Sequence, residues 1–369
     1  MEIEAYTVAQ LAERLRSDKF WCAEGAPITK HRALSHVRNP RARAEDLALL
    51  VAYDNGKVVG YLGVLPDLVF LNEEKRRIGW LTAWWADPNP KYAGTGLTLM
   101  VKAFRAYGGE VGASGFSDDA KKVYEASKMF LKVEETARIK ALLRVSTRDL
   151  LPRKFPRLKS AKPLLGLLDQ LLNVFCDFRL RLWRRRIGTG TQLRLEYVAE
   201  VDSETSDFIQ KLQGRELTRR GAAEIEWIAK YPWVLSTPLG QRSSDGFYFS
   251  ATARESACFM VKVFDSDNLL ICFIMLRLID GHLTVPFCYM LQQHADHAFR
   301  VIADHAVVLR AHSLTISRGE LRQSLTQTKF PCVARINRST RWVLGNAFDA
   351  TINGKFGLQD GDGDCAFWS

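Results

Sequence analysis

The chain has 369 residues, of which 47% are hydrophobic and 25% charged, and its formal net charge is +11. This length is sufficient for two domains with full cores, and the composition is that of a globular protein. The seven cysteines are scattered without a C-x-x-C pair, which argues against a disulfide framework or a zinc site and suits a reducing cytosol. The sequence has no run of 18 apolar residues, and its acidic, amphipathic start differs from a secretory signal, so we expect a cytoplasmic protein.

The first part of the chain reads as a helix followed by a hairpin. A helix is predicted over residues 9–15, and strands are predicted over 47–53 and 58–64, where apolar residues dominate. Asp54-Asn55-Gly56 lies between the two strands, and Asn-Gly tolerates the positive φ angles of a tight hairpin turn. The sequence therefore predicts an antiparallel pair of strands near the start of a sheet.

A third strand-like run, residues 78–86, leads to the stretch around which the chain is organised. It ends in Asp87-Pro88-Asn89-Pro90, where the prolines oppose both a longer strand and an early helix. The loop after it reads Lys91-Tyr92-Ala93-Gly94-Thr95-Gly96. Behind the loop, apolar residues recur at helical spacing: Leu97, Met100, Val101 and Phe104. The predicted order is strand, short glycine-bearing loop, helix.

This order is typical of an anion site. The first turn of a helix carries N–H groups without intrahelical acceptors, and these groups lie at the positive end of the helix dipole. Gly94 and Gly96 have no Cβ, so a phosphate can approach the backbone closely, and Lys91 adds a positive charge. The spacing is neither that of a P-loop nor that of the G-x-G-x-x-G dinucleotide fingerprint. A pyrophosphate of another kind is therefore the expected ligand.

The loop has both glycine positions of the pattern Q/R-x-x-G-x-G/A, with Lys91 standing in the first position, and so resembles the acyl-CoA loop of the GNAT (GCN5-related N-acetyltransferase) superfamily. An ordinary strand-to-helix connection is the alternative for the loop alone. A second match follows at 117–125, where the family has N-x-x-A-x-x-L-Y-E and this chain has Ser117, Ala120, Val123, Tyr124 and Glu125. The chain departs from the family at Lys91, at Ser117 and at Met129-Phe130, which stands one residue late for the family's Gly-Phe.

The resemblance implies an α/β fold with a mixed sheet. It also implies transfer of an acyl group from acetyl-CoA, or another acyl-CoA, to an amine or hydroxyl in a ternary complex, without a metal. Tyr124 would protonate the departing thiolate, and Asp67, at the end of the second hairpin strand, is a candidate base, with a water-relayed proton as the alternative. The implied cofactor-binding residues are Trp84, Trp85, Ala86, Lys91, Tyr92, Ala93, Gly94, Thr95, Gly96 and Ser117.

The resemblance also implies that the helices before the hairpin line an acceptor pocket. Trp21 and Arg32 are therefore candidate substrate-binding residues. The alternative is that Trp21 caps the core and that Arg32 is a solvated charge. For the tryptophans of the central strand, core packing is the alternative to a cofactor contact, and we favour it for Trp80.

A basic, leucine-rich segment follows. Between Pro152 and Arg186 there are ten lysines and arginines but two acids, Asp169 and Asp177, so this segment carries a net +8. Its apolar run, 163–183, with basic flanks, fits an interfacial helix on anionic lipid. It also fits a connecting helix packed between two domains, which is the interpretation we favour.

From residue 191 the element order of the first half is repeated. Strands are predicted over 198–201, 258–264, 269–278 and 283–289, with helices over 203–212, 222–231, 296–309 and 319–325. The stretch 291–296 contains no glycine, and no tyrosine matches Tyr124. We therefore predict two tandem GNAT-like domains: a catalytic domain (1–150), a basic amphipathic linker helix (151–190), a second domain without the CoA loop (191–350) and a flexible acidic tail (351–369).

Two other functions remain open at this point. Some tandem GNAT folds transfer amino acids from aminoacyl-tRNA, and a +11 chain could hold RNA. We expect the basic residues to cluster on one apolar helix without interleaved exposed aromatics, and the acyl-CoA loop is intact, which argues against nucleic acid. A non-enzymatic acyl-CoA-binding scaffold is the other. The expected acceptor is a small molecule or a polymer, and the sequence does not distinguish the two. We expect a cytoplasmic protein, and the basic helix suggests that it also contacts the inner surface of an anionic membrane peripherally.

Overall fold

The computed structural model describes residues 1–17, 27–71, 74–187, 193–237, 251–348 and 356–367. The chain forms two compact units, each built from segments that are distant in the sequence. Unit 1 comprises Met1–Thr136, Ala199–Arg254 and Thr340–Ser369. Unit 2 comprises Ala137–Val198 and Glu255–Ser339. Strands are numbered β1–β14 and helices α1–α10 along the chain.

Unit 1 contains a mixed sheet with strand order β1-β2-β3-β4-β5-β14. The strands are β1 (Glu2–Thr7), β2 (Leu47–Asp54), β3 (Lys57–Leu71), β4 (Glu74–Ala86), β5 (Val111–Ser114) and the last part of β14 (Ala334–Leu344). Its helices are α1 (Val8–Arg14), α2 (Lys30–Val37), α3 (Thr95–Ala106), α4 (Asp118–Ser127), α7 (Ser203–Leu212) and α8 (Ala222–Lys230). A 3-10 turn (Pro90–Tyr92) precedes α3, and β8 (Leu235–Ser236) pairs with β9 (Thr252–Ala253).

The predicted hairpin is confirmed. Asp54 pairs with Lys57, and the two residues between them, Asn55 and Gly56, have φ angles of 51° and 79°. Positive φ at both central residues is the requirement of a tight turn that matches the twist of the strands. The helix after the glycine loop is confirmed as α3, which buries Leu99, Met100 and Ala103 against the sheet.

The sheet strands of unit 2 have the order β6-β13-β12-β11-β10-β7, with parallel and antiparallel neighbours. The strands are β6 (Glu134–Leu142), β7 (Arg194–Val198), β10 (Ser256–Phe264), β11 (Leu270–Ile279), β12 (His282–Met290) and β13 (Ser313–Ile316). The helices are α5 (Thr147–Lys154), α6 (Lys162–Ile187), α9 (Ala295–Val308) and α10 (Gly319–Gln327), with 3-10 turns at Pro156–Lys159 and Gln292–His294. The strands predicted over 258–264, 269–278 and 283–289 are confirmed as β10, β11 and β12, which pair in sequence order, and α9 connects the parallel strands β12 and β13.

The predicted domain boundaries differ from this division of the chain. β6, which we assigned to the first domain, pairs with β13 in unit 2, whereas Trp342–Leu344 of β14 pair with β5 in unit 1. Helices α7 and α8, which we assigned to the second domain, lie in unit 1. Each unit is thus completed by a strand from the other half of the chain, and no single cut in the sequence separates them.

The predicted acidic tail is wrong for its described part, residues 356–367. Asp360, Asp362 and Asp364 are buried in unit 1. Arg220 donates hydrogen bonds to the carbonyl oxygens of Gly361 and Gly363, at 3.0 and 2.6 Å. Alternating acids and glycines predict a solvated tail only where no buried polar group binds them. Here Arg220 and the hydroxyl groups of Thr82, Ser114 and Thr218 form hydrogen bonds with this segment.

Candidate active site

The site in unit 1 begins where β4 and β5 separate. These parallel strands pair at Gly79 with Val111, at Trp80 with Gly112 and at Leu81 with Ala113, and the ladder ends there. β4 continues to Ala86, still paired with β3. Beyond Leu81 the edge of β4 that faced β5 is therefore released from that ladder, which leaves its backbone polar groups available to an extended ligand.

An extra residue in β4 follows immediately after this point. Gly63 pairs with Thr82 but Tyr61 pairs with Trp85, so two steps in β3 oppose three in β4. Ala83 lies in this bulge with φ 48°, a conformation that costs a residue with a Cβ free energy. Bulges of this kind bend a strand and redirect its side chains and N–H groups.

The glycine loop forms the other side of the site. Gly94 precedes α3 with φ 86°, and a Cβ placed on it would meet no atom within 4 Å. Gly94 is thus required for its backbone conformation. Ala93 and Gly94 are exposed, and the first N–H groups of α3 have no intrahelical acceptors. The loop therefore presents helix donors to solvent.

Gly96 has a different role from the one that the sequence suggested. A Cβ at Gly96 would lie 3.1 Å from Trp84 Nε1, and the Trp84 indole donates a hydrogen bond to the Gly96 carbonyl oxygen at 3.0 Å. Gly96 therefore allows Trp84 of β4 to lie against α3. Lys91 forms an ion pair with Asp54, the last residue of β2, at 2.5 Å, and the Tyr92 hydroxyl also donates a hydrogen bond to Asp54 at 3.0 Å. The charge of Lys91 is therefore partly offset by the carboxylate of Asp54.

Tyr124 is buried in an aromatic cluster on α4. Its ring centroid lies 5.6 Å from that of Trp84, 4.9 Å from Phe116 and 4.7 Å from Phe130. Burial, and then the nearby carboxylate of Asp364, raise the pKa of the Tyr124 hydroxyl well above its ordinary value. Tyr124 therefore keeps its proton at neutral pH. Ser117 is the N-cap of α4 and accepts a hydrogen bond from the Ala120 N–H at 3.3 Å.

Neighbouring side chains alternate between the two faces of a strand, and Trp84 and Trp85 of β4 accordingly have different surroundings. Trp84 contacts α3 and Tyr124, whereas Trp85 stacks on Tyr61 at 5.3 Å. Trp80 is a core residue, as we favoured, and its indole donates to Asp67 at 3.2 Å.

The structure contradicts a role for Asp67 as the general base. Its Oδ1 accepts from Arg41 and from the Leu68 N–H, both at 2.8 Å, and its Oδ2 accepts from Arg220 at 2.8 Å and from Trp80. Burial opposes ionisation, but Arg220 and Arg41 outweigh it and hold the pKa of Asp67 below its ordinary value. With four hydrogen bonds and a lowered pKa, Asp67 is a poor proton acceptor. It is the centre of a buried ion-pair network.

A different carboxylate, Asp364, occupies the place where β4 and β5 separate. Thr82 Oγ1 of β4 donates to Asp364 Oδ2 at 2.6 Å, and Ser114 Oγ of β5 donates to Asp364 Oδ1 at 2.7 Å. Gly363 permits this approach, because a Cβ there would lie 2.5 Å from Ser114 Oγ. The sequence did not predict a role for Asp364, since nothing in its local pattern points to residues 250 or more positions away.

Arg32 extends this network. It lies on α2 with 2% of its surface exposed, so the alternative of a solvated charge is wrong. Its guanidinium donates to Thr82 Oγ1 at 2.9 Å and lies 3.8 Å from the ring centroid of Trp233. Burial lowers the pKa of Arg32 to about 9, although Asp364 opposes this shift. Trp21, the other predicted acceptor residue, lies outside the described residues.

No protein-family model matches the chain, and no curated protein matches it. Solved structures do resemble it. One is a conserved protein of unknown function from Enterococcus faecalis, described as a probable N-acyltransferase, at 10% identity, covering 92% of this chain and 72% of that one with a TM-score of 0.48. Another is a tandem GNAT protein from the clavulanic acid biosynthesis pathway, at 13% identity, covering 93% and 98% with a TM-score of 0.46. A third is N-myristoyltransferase from Saccharomyces cerevisiae, at 9% identity, covering 93% and 82% with a TM-score of 0.48.

Unit 1 has the element order that the sequence resemblance implied. Antiparallel strands lead to β4, the glycine loop opens α3, and the parallel strand β5 leads to α4, which carries Tyr124. Unit 2 shows the same succession in β10 to α10, without a glycine before α9. The chain thus has the mixed α/β fold, and unit 1 has the order of elements, that the sequence predicted.

Proposed function

We propose that the chain is an acyltransferase that moves an acetyl or similar acyl group from acyl-CoA to an amine or hydroxyl acceptor. The observation that carries this proposal is the separation of β4 from β5 next to a strained bulge in β4, together with the exposed Ala93 and Gly94 that precede α3. A phosphate-bearing ligand can meet the N–H groups of α3 while its extended part lies along the released edge of β4.

The residues present fit acyl-CoA as a co-substrate. The stretch 91–98 contains no acid, and Lys91 lies at its start. Gly94 keeps the approach to the helix N-terminus open. Trp84, Trp85 and Ala86 follow the bulge in β4, where they would lie along the pantetheine arm.

Two groups would transfer protons in this proposal. Asp364 would accept the proton of the acceptor amine or hydroxyl as the new bond to the acyl carbon forms. Tyr124 would donate its proton to the sulfur as the carbon–sulfur bond breaks. The hydrogen bonds from Thr82 and Ser114 hold the Asp364 carboxylate in place, and Arg32 orients Thr82. Most of the rate gain would come from holding the two reactants together.

A pair of substitutions at Ala93 tests the cofactor site. Ala93 is exposed beside the first turn of α3, so Ala93→Glu places a negative charge where the pyrophosphate would bind, and Ala93→Gln matches its size without the charge. We expect Ala93→Glu to weaken acetyl-CoA binding about tenfold or more by calorimetry, and Ala93→Gln to leave it nearly unchanged. An acid near a helix N-terminus does not destabilise the helix, so Tm should be retained. Equal affinity in both variants would contradict the assignment.

A further inference from the structure

Helix α6 packs in unit 2 with its polar side inward. Its inward stripe includes the buried Asp169 and Asp177 and, midway between them, the half-buried Asn173. Asp169 accepts hydrogen bonds from the N–H groups of Thr147 and Arg148, at 2.8 and 2.9 Å, and thereby caps α5. The helix packs by hydrogen bonds along much of this stripe, with Leu180 and Trp183 as apolar contacts near its end.

The opposite side of α6 is apolar and exposed. Leu164, Leu167, Leu171, Val174, Phe175 and Phe178, which we call the α6 apolar face, are each at least 59% exposed. They recur every three or four residues along a helix about 40 Å long, so they form one continuous surface. A globular protein in water normally orients such a helix the other way. A contiguous apolar surface of this kind marks an interaction site.

The charges around this face are of one sign. Between residues 150 and 187 the acids are Asp169 and Asp177, and both are turned inward. Asp177 accepts from Arg144 at 2.7 Å and from Arg310 at 3.1 Å. The exposed basic residues stand at both ends: Lys154, Arg157, Lys159 and Lys162 before the face, and Arg179, Arg181, Arg184, Arg185 and Arg186 beside and after it. Arg184 also pairs with Asp304.

This charge pattern decides between two occupants. A second copy of the chain, packed through the same face, would bring basic ends against basic ends in either orientation, without an exposed acid on α6 to offset them. An anionic lipid surface complements the pattern, because apolar side chains enter the acyl boundary while arginine and lysine reach the phosphates. Within the described residues, no helix is both long and apolar enough to cross a membrane.

We propose that the α6 apolar face binds the surface of an anionic lipid bilayer, with α6 parallel to the membrane. The segment before it adds exposed Leu150 and Phe155 next to the first basic group, which extends the contact. The proposal is independent of the acyltransferase assignment, since it rests on unit 2.

The test is co-sedimentation of the full-length protein with vesicles of phosphatidylglycerol mixed with phosphatidylcholine, and with phosphatidylcholine alone. We expect binding to the anionic vesicles that weakens as salt is added, and little binding to the neutral ones. Equal binding to both vesicle types would overturn the charge argument, and no binding to anionic vesicles at low salt would overturn the proposal.

Substitutions at two adjacent residues distinguish the contribution of the α6 apolar face from the effect of a change in net charge. Leu171→Glu places an acid in the centre of the face, whereas Gln170→Glu adds the same charge at its border. We expect Leu171→Glu to lower the vesicle partition coefficient at least about tenfold, and Gln170→Glu to lower it far less. Leu171 is 73% exposed, so its substitution should leave Tm unchanged. Analytical ultracentrifugation completes the test: a dimer that Leu171→Glu abolishes, without vesicle binding by the wild type, would assign the face to a second copy instead.

Discussion

Asp364 joins β4 and β5 through two hydroxyl groups, although 282 residues separate it from Thr82 and 250 from Ser114. It lies close enough to buried Arg32 and buried Tyr124 to influence the pKa of both groups. Asp362, two residues earlier, instead accepts from the hydroxyl of Thr218 and from the N–H of Gln359.

These two aspartates allow a matched prediction. Asp364→Asn should lower kcat at least about 100-fold while acetyl-CoA affinity is retained, since it removes a proton acceptor and not a cofactor contact. Asp362→Asn should affect stability but not kcat. The measurement is release of CoA thiol from acetyl-CoA with a panel of amines and alcohols. Undiminished turnover in Asp364→Asn would remove it from the mechanism.

Asp67 supports the fold, and its ionisation predicts an acid dependence. Because its pKa is lowered in the folded chain, its ion pairs stabilise the protein above the unfolded-state pKa of about 4. This contribution is lost as pH falls through the still lower folded-state pKa. Asp67→Asn leaves Arg41 and Arg220 without their shared partner, so we expect a loss of about 3–5 kcal/mol at neutral pH and a weaker acid dependence.

Denaturant unfolding at pH 7 and in mild acid checks this prediction. The control is Asp119→Asn, since Asp119 is exposed and pairs only with exposed Lys122 among the ion pairs of the described residues. That variant should keep the wild-type stability and acid dependence. An Asp67→Asn protein as stable as the wild type would show that the network contributes little.

At the level of residues, the sequence was sufficient where the signal is local. The loop from Lys91 to Gly96 and the position of Tyr124 follow from short motifs, and the structure places both beside Trp84. The role of Asp67 could not be read, because its partners Arg41 and Arg220 lie 26 and 153 residues away. Whether a buried carboxylate acts as a base depends on such partners.

Among the elements, alternation and turn residues predicted the hairpin and the strands, but the bulge in β4 has no sequence signal. Ala83 adopts φ 48°, a conformation that favours glycine. It does so because β4 has one more residue than β3 between the paired positions on either side of it. The strain is imposed by pairing across the sheet, and an alanine in an apolar strand gives no hint of it.

Substitution of Ala83 tests the strain directly. Ala83→Gly should be neutral or stabilising by up to about 1 kcal/mol, because glycine adopts a positive φ without strain. Ala86→Gly in the same strand has no such strain to relieve and should be destabilising. Thermal unfolding of both variants decides the comparison. If Ala83→Gly lowers Tm as much as Ala86→Gly does, the bulge is unstrained.

For the whole molecule, the sequence predicted two successions of the same elements but not where each unit ends. Periodicity identifies a strand without naming its partner, so β6 and β14 could not be assigned to units from their own residues. For the same reason the burial of Asp362 and Asp364 could not be predicted, since their partners Thr218 and Thr82 lie in other segments of unit 1.

The difference between the two units leads to the last prediction. α9 of unit 2 follows a 3-10 turn, Gln292–His294, and its N-cap is His294 with φ −98°, whereas α3 of unit 1 follows Gly94 with φ 86°. Without a glycine, the turn before α9 keeps side chains at the helix N-terminus and hinders a phosphate. We therefore expect one acetyl-CoA per chain by calorimetry.

The Ala93→Glu variant makes this stoichiometry decisive. If unit 1 holds the single site, that one substitution should weaken all of the measurable binding about tenfold or more and leave no site at the wild-type affinity, and Ala93→Gln should preserve a stoichiometry of one. A second site in unit 2 would instead leave about half of the binding capacity at unchanged affinity in Ala93→Glu. That outcome would show that a helix preceded by Leu291 and His294 can receive a pyrophosphate without a glycine.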